Sequence, residues 1–261
     1  MIHVIINALK NSTSPDDSKG LWQLNLLKAN GQTGLGAFLA QQMGLPSGQW
    51  IVVSPVHCQA THNDAMIIAT CQEFEWQSAM EDYSQSFMKW MAQDGIAVHR
   101  FSNAIWLMDA SHFPELSTLP LDDMHHRSLQ PYLSNLPSPW LKWWTEVQMM
   151  LHGVRGQGPY AVNAVWPWGG GKLPAFDAIW TLSENKLYRE MSKIYPQVAV
   201  WQSHDKLNGQ AFFLIEDSEQ ALLPKHPLNQ FVSHWWWLDS NEEKPAKTMW
   251  DTLKGWWKRE H

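Results

Sequence analysis

Three consecutive glycines between a tryptophan and a lysine, Trp168-Gly169-Gly170-Gly171-Lys172, are the residues of this chain best suited to hold a ligand. Glycine accepts positive φ and lets the main chain come close to a bound group. Free N–H groups of Gly169 to Gly171, with the Lys172 ammonium beside them, would form a donor set for an anion. The competing reading is a tight turn that lets Trp166 and Trp168 pack. The run is neither GxGxxG nor GxxxxGK[ST], so the motif alone does not decide. Asn163 lies just upstream, in the apolar run Ala161 to Trp166. Its amide needs hydrogen-bond partners, because burying it unpaired costs roughly 1–3 kcal/mol. Ligand binding is therefore expected at Asn163, Trp168, Gly169, Gly170, Gly171 and Lys172, together with His57.

Other side chains have the types for metal or acid–base chemistry. His57, His62 and Asp64 fall on or near one hairpin, and Asp122, Asp123, His125 and His126 form the densest such cluster. Carboxylate and imidazole are ligands for manganese or zinc, so a divalent metal could use His57, Asp64, Asp122, His125 and His126. Their spacing fits no recognised ligand pattern, and no metal site is favoured. The alternatives are a hydrogen bond from His57 that fixes a turn at Pro55, and a solvated loop around Asp122 to His126. Asp177, Glu216 and Asp217 read as strand-end carboxylates, and Ser203-His204-Asp205 has triad letters without a triad's context. No nucleophile elbow, HExxH or P-loop occurs.

The elements that must position these groups follow from periodicity. Met1 to Leu9 reads as a buried strand, and Gly36 to Met43 as a helix after the glycine-rich Asn30 to Gly34. Trp50 to Thr70 reads as a hairpin turning at Thr61 to Asp64. Trp76 to Ala92 is an amphipathic helix with Trp76, Met80, Tyr83, Phe87, Trp90 and Met91 on one face. Ile96 to His99 and Ile105 to Met108 form a second hairpin. Residues 109 to 139 lack periodicity; a loop of this length in a compact domain is often functional, and it could reach the glycine turn. Trp140, Trp143, Trp144, Val147, Met150 and Leu151 mark the next helix, which Gly153, Gly156 and Gly158 end. Ala161 to Trp166, apolar on both faces, reads as an interior strand, and ligands in open α/β sheets bind beyond the carboxyl ends of strands. A strand over 178–182, a helix over 185–194 and strands over 198–201 and 210–215 follow.

Two stretches carry a family resemblance. Glu146-Val147-Gln148-Met149-Met150-Leu151-His152, then Val162-Asn163-Ala164-Val165-Trp166-Pro167-Trp168-Gly169-Gly170-Gly171, resemble the proteobacterial RpfE-type regulatory proteins, whose pattern is close to NE-x-QM-x-LH followed by VNS-x-W-x-WG-x-G. Ser54-Pro55-Val56-His57, with Asp64 downstream, resembles that family's DPVH hairpin, with Ser54 for Asp. The turn from Trp168 to Pro174 also resembles W-G-x-G-x-x-P of cofactor-independent phosphoglycerate mutases, within the alkaline-phosphatase superfamily. The resemblance implies a phosphomutase-like core. In metal-dependent members the first strand ends in Asp-Gly, whose carboxylate binds metal; Asn7-Ala8 stand here. A neutral amide is a poor ligand for a hard cation, which implies a catalytically degenerate core in a regulatory protein.

Composition bounds the rest. The chain has 261 residues, 44% of them hydrophobic, and a net charge of −6. These values fit a globular protein and argue against a general nucleic-acid binder. Cys58 and Cys71 suggest neither a disulfide framework nor a zinc ribbon. No leader-like or membrane-spanning apolar run occurs, so the expectation is a cytoplasmic protein with no transmembrane segment. The basic, Trp-rich tail, with Trp235-Trp236-Trp237 before a helix carrying Met249, Trp250, Leu253, Trp256 and Trp257, would pack on the core or dock a membrane or protein partner. The expected fold is a single α/β domain over 1–261, with mixed α+β elements: a central mixed sheet flanked by helices and an α+β subdomain at 50–108. Three functions fit. They are a regulatory protein binding a small anionic or phosphorylated metabolite, a metal-dependent phosphatase or phosphomutase, and an interaction module using the tail.

Overall fold

The structure is a computed structural model that describes residues 1–7, 22–31, 33–61, 64–70, 80–154, 161–202, 210–216, 219, 232–236 and 241–243. In chain order its first elements are β1 (Ile2–Asn7), α1 (Trp22–Ala29), α2 (Leu35–Gln42), β2 (Trp50–Ala60), β3 (Ala65–Thr70), α3 (Met80–Gln93), β4 (Val98–Arg100) and β5 (Trp106–Asp109). Then come α4 (Leu121–Met124), α5 (Gln130–Leu133), α6 (Ser138–Gly153), β6 (Ala164–Trp168), β7 (Ile179–Thr181), α7 (Lys186–Ser192), β8 (Ala199–Val200), β9 (Ala211–Glu216), β10 (His234–Trp236) and β11 (Asn241–Glu243). The chain is a mixed α/β protein with two sheets and divides into two compact units, Met1–Asn30 with Ala175–His261, and Gly31–Pro174.

The first unit is built on a six-stranded sheet of order β11-β10-β1-β9-β7-β8. All pairings are parallel except β10 with β11. β-branched residues dominate β1, as suits a strand buried on both faces. Ile2, Val4 and Ile6 pack with Ala211, Phe213 and Ile215 on one side, and the alternate residues Ile5, Phe212 and Leu214 are buried as well. Asn185 caps α7 by accepting from the Tyr188 N–H at 2.8 Å, satisfying one of the helix's orphan donors.

The second unit is built on β3-β2-β5-β4 with β6 joined to β2, and every pairing is antiparallel. Val52 and Val53 pair with both β5 and β6, and Val56 with both β3 and β6. A residue has one neighbour on each edge, so β5 and β3 follow one another along one edge of β2 while β6 takes the other. The strand–strand–helix–strand–strand order expected over 50–108 is present as β2 to β5. α6 starts after Pro137, with a proline in its first turn where a missing N–H costs nothing. It buries Trp140, Trp143, Trp144, Val147 and Leu151.

Several expectations change. β6 is wholly buried, as expected, but it runs antiparallel to β2, so the rule for carboxyl ends of parallel strands does not locate a ligand here. An apolar run buried on both faces reads the same in either direction. Ser54 to His57 lie inside β2 rather than in a turn, and the hairpin reverses after Ala60. α1 was not anticipated, and residues 109–139 contain the helical turns α4 and α5. The start of the helix expected from Trp76, Ala8, His62, Ser203 to Asp205, Asp217, Trp237 and the tail after Glu243 lie outside the described residues. No described helix is long and apolar enough to cross a membrane.

Candidate functional site

The glycine turn is fixed from both ends. Trp168 is 3% exposed, and its indole N–H donates to Ser54 Oγ, itself fully buried, at 2.9 Å. Gly169 and Gly171 have φ of 66° and 131°, conformations that disfavour a side chain. The Gly169 carbonyl accepts from the Gly36 N–H at 2.9 Å, which ties the turn to the first turn of α2. A Cβ at Gly170 would sit 2.9 Å from the Leu116 carbonyl oxygen, and one at Gly34 would sit 2.0 Å from that of Lys172. Close backbone packing at a bend therefore accounts for the glycines. It leaves donors over: the N–H groups of Gly170, Gly171 and Lys172 meet no acceptor among the described residues.

Those three residues line a cavity of about 580 Å³ within the Gly31–Pro174 unit, a size typical of small-molecule sites. Its apolar walls come from Ala37 and Ala40 of α2, Trp50, Ile51, Leu116 and Trp140. Trp50 donates its indole N–H to the Pro46 carbonyl at 2.8 Å, and Trp140 donates to that of Pro114 at 2.7 Å. With both N–H groups engaged, neither ring has a polar atom free for the cavity. Lys172 and Glu115 are the charged lining residues, both exposed. Among the described residues neither forms an ion pair. Gln41, Ser47 and Gln49 line it as well, so the arrangement is a mostly apolar cleft with two exposed charged residues, able to take an organic body and hold its charged end.

Trp168, Gly169, His57 and Asn163 are not among the cavity's lining residues. His57 stands on β2 five positions from Val52, the partner of Trp168, about 17 Å along an extended strand. There the Asn163 side chain receives the Cys58 N–H at 2.7 Å and donates to the Cys58 carbonyl at 2.8 Å. His57 Nδ1 lies 2.7 Å from the Ala161 carbonyl oxygen; a carbonyl only accepts, so Nδ1 carries the proton. His57 thus secures the approach to β6 and not a turn at Pro55. Burial pushes the Cys58 thiol up to about 12, which removes it as a nucleophile.

The metal candidates occupy separate structural roles. Asp64 Oδ1 accepts from the N–H groups of Ala65 at 2.7 Å and Gln130 at 3.1 Å. Its carboxyl is held below the usual range by the Ser128 hydroxyl first, and by backbone N–H groups of Ala65, Gln130 and Leu129. His126 donates its N–H to Ile67, and Leu129 to Ala65, so the 125–130 segment lies along β3. The His125 and His126 rings stack at 4.0 Å, and His126 has a φ of 59°. Asp122 is exposed on α4. Among the described residues no three His, Cys, Asp or Glu side chains could hold one metal ion. Glu216 accepts from the Leu187 N–H at 3.0 Å, at the start of α7.

The long loop does reach the glycine turn, through Glu115 and Leu116 instead of the Asp122–His126 cluster. Sequence reasoning missed Glu115, Trp50 and Trp140 as site residues. It also missed a cluster in the other unit: His3, 4% exposed, stacks on Phe212 at 5.3 Å and on His234 at 5.0 Å. Trp236 donates its indole N–H to His3 Nδ1 at 3.3 Å. Burial first, then the charges of His234 and the N-terminal amine, lower the His3 pKa to about 4. Comparison of the chain with protein-family models, with curated proteins and with solved structures finds no match.

Proposed function

We propose that the Gly31–Pro174 unit is a binding module for a small organic anion with an apolar body, and that the protein acts as a regulator through the state of this site. The observation that carries the reading is that Gly170, Gly171 and Lys172, whose N–H groups meet no acceptor among the described residues, line a largely apolar cavity. An anion there would receive backbone donors and the Lys172 ammonium, while its organic part would displace water from Trp50, Ile51, Leu116 and Trp140. The regulatory part accords with the resemblance of residues 146–152 and 162–171 to RpfE-type regulatory proteins. Phenyl phosphate and 3-phenylpropanoate are suitable probes, titrated into the ¹⁵N-labelled full chain. Shifts of the Trp50 and Trp140 indole resonances are expected at millimolar concentrations, with binding weakened roughly tenfold by Lys172→Glu. Indole resonances that stay in place with both probes, or affinities untouched by Lys172→Glu, would overturn the reading.

A further inference from the structure

Glu115 does not belong in a site for a simple anion. It is exposed and precedes Leu116, whose carbonyl oxygen would meet a Cβ on Gly170 at 2.9 Å, so Glu115 and the donor turn belong to adjoining backbone segments. Both line the same cavity. Glu115 is not consumed by an internal partner: among the described residues it accepts no side-chain hydrogen bond and forms no ion pair. A ligand carrying only negative charge would be held by Gly170 to Lys172 and opposed by Glu115. A ligand carrying only positive charge would meet Glu115 and be opposed by Lys172. One rim with both signs, and an apolar interior behind it, suits a compound whose two opposite charges share one end and whose other end is apolar.

We infer that the cavity takes a free α-amino acid with a large apolar or aromatic side chain. This deepens the anion reading and rests on it. The ligand carboxylate receives the N–H groups of Gly170, Gly171 and Lys172 together with the Lys172 ammonium, and the ligand ammonium faces Glu115. The side chain enters the space walled by Trp50, Ile51, Leu116 and Trp140. These aromatic rings, with their N–H groups tied to Pro46 and Pro114, offer carbon surface to it and no free donor. A peptide N-terminus lacks the adjacent carboxylate and satisfies only half of the rim, so the free amino acid is the better occupant.

The test is a calorimetric titration of the full chain with L-phenylalanine, L-leucine and L-alanine. The single-charge analogues 3-phenylpropanoate and phenethylamine are titrated alongside. L-Phenylalanine or L-leucine is expected to bind at least about tenfold more tightly than either analogue and than L-alanine. Glu115→Gln should erase the preference over 3-phenylpropanoate, and Lys172→Met the preference over phenethylamine. Both positions are exposed, and unchanged far-ultraviolet circular dichroism would establish that the variants fold. If 3-phenylpropanoate binds as tightly as L-phenylalanine, or Glu115→Gln changes nothing, the amino-acid assignment is wrong while the anion site stands. If phenethylamine binds best, the amino-acid assignment is wrong as well. If no compound in the series binds, both fall together.

Discussion

The side-chain amide of Asn163 pairs with both backbone groups of Cys58, its oxygen receiving the N–H at 2.7 Å and its nitrogen donating to the carbonyl at 2.8 Å. The Asn163 N–H also donates to the Val56 carbonyl at 3.2 Å. The β2 register shifts between His57 and Cys58. Past the last β2–β6 pair, Val56 with Ala164, the Asn163 side chain thus adds two further bonds to β2 beside the one its backbone makes. Asn163→Asp keeps one of the two bonds and turns the other into repulsion between two acceptors. The expected loss is about 2–4 kcal/mol of stability, and Asn163→Ala should lose about 1–2 kcal/mol. Urea denaturation monitored by tryptophan fluorescence measures both.

Gly34 supplies a second prediction. It has a φ of 100°, and a Cβ there would lie 2.0 Å from the Lys172 carbonyl oxygen. That neighbour is backbone and cannot rotate away. Gly34→Ala is expected to destabilise the Gly31–Pro174 unit by more than about 3 kcal/mol. Gly44→Ala, also at positive φ (72°) but with open space around it, should cost only about 1 kcal/mol. The difference between the two midpoints isolates the packing from the dihedral.

The bond from the Trp168 indole to Ser54 Oγ is buried at both ends. Trp168→Phe leaves the hydroxyl without its donor, whereas the double variant with Ser54→Ala removes the orphan. A double-mutant cycle should return a coupling of about 1 kcal/mol. Additive effects would mean that the hydroxyl finds another partner when the indole is gone.

His3 sets a pH dependence in the other unit. In the unfolded chain a histidine titrates near 6.5, and in the folded protein His3 titrates near 4. Between those values the unfolded state binds more protons, so stability rises with pH across the window. It is lost as pH falls from 6.5 toward 4. His3→Phe should flatten the slope of the urea midpoint against pH in that interval, whatever it does to the absolute midpoint. An unchanged slope would place the titrating group elsewhere.

How far the sequence could be read differs from feature to feature. Asn163 stood out because a lone amide in an apolar run needs partners, and it has them. The glycine turn stood out because few residue types adopt φ of 66° or 131°. Most strands were visible as apolar runs, but β10 and β11 were not: Trp235 to Trp237 read as the lead into a helix, and Asn241–Glu243 is polar and exposed. The antiparallel direction of β6 was not visible either, because burial of both faces erases the period that would distinguish it. α1 escaped notice: Trp22, Leu26 and Leu27 are buried, but its first turn carries no acidic residue. The cavity itself was least legible. Trp50, Glu115, Trp140 and Lys172 come from four separate stretches, and only the folded β2–β6 pairing and the 109–139 loop bring them to one wall.

The division of the chain has a consequence for synthesis. β1 leaves the ribosome well before its two neighbours, Ala211–Glu216 and His234–Trp236, which lie more than 200 residues later. At typical elongation rates Val4, Ile5 and Ile6 wait on the order of 10–40 s without a strand beside them. The whole Gly31–Pro174 unit is translated within that interval. The interrupted unit is therefore the later one to close, and its apolar opening strand stays unpaired in the meantime.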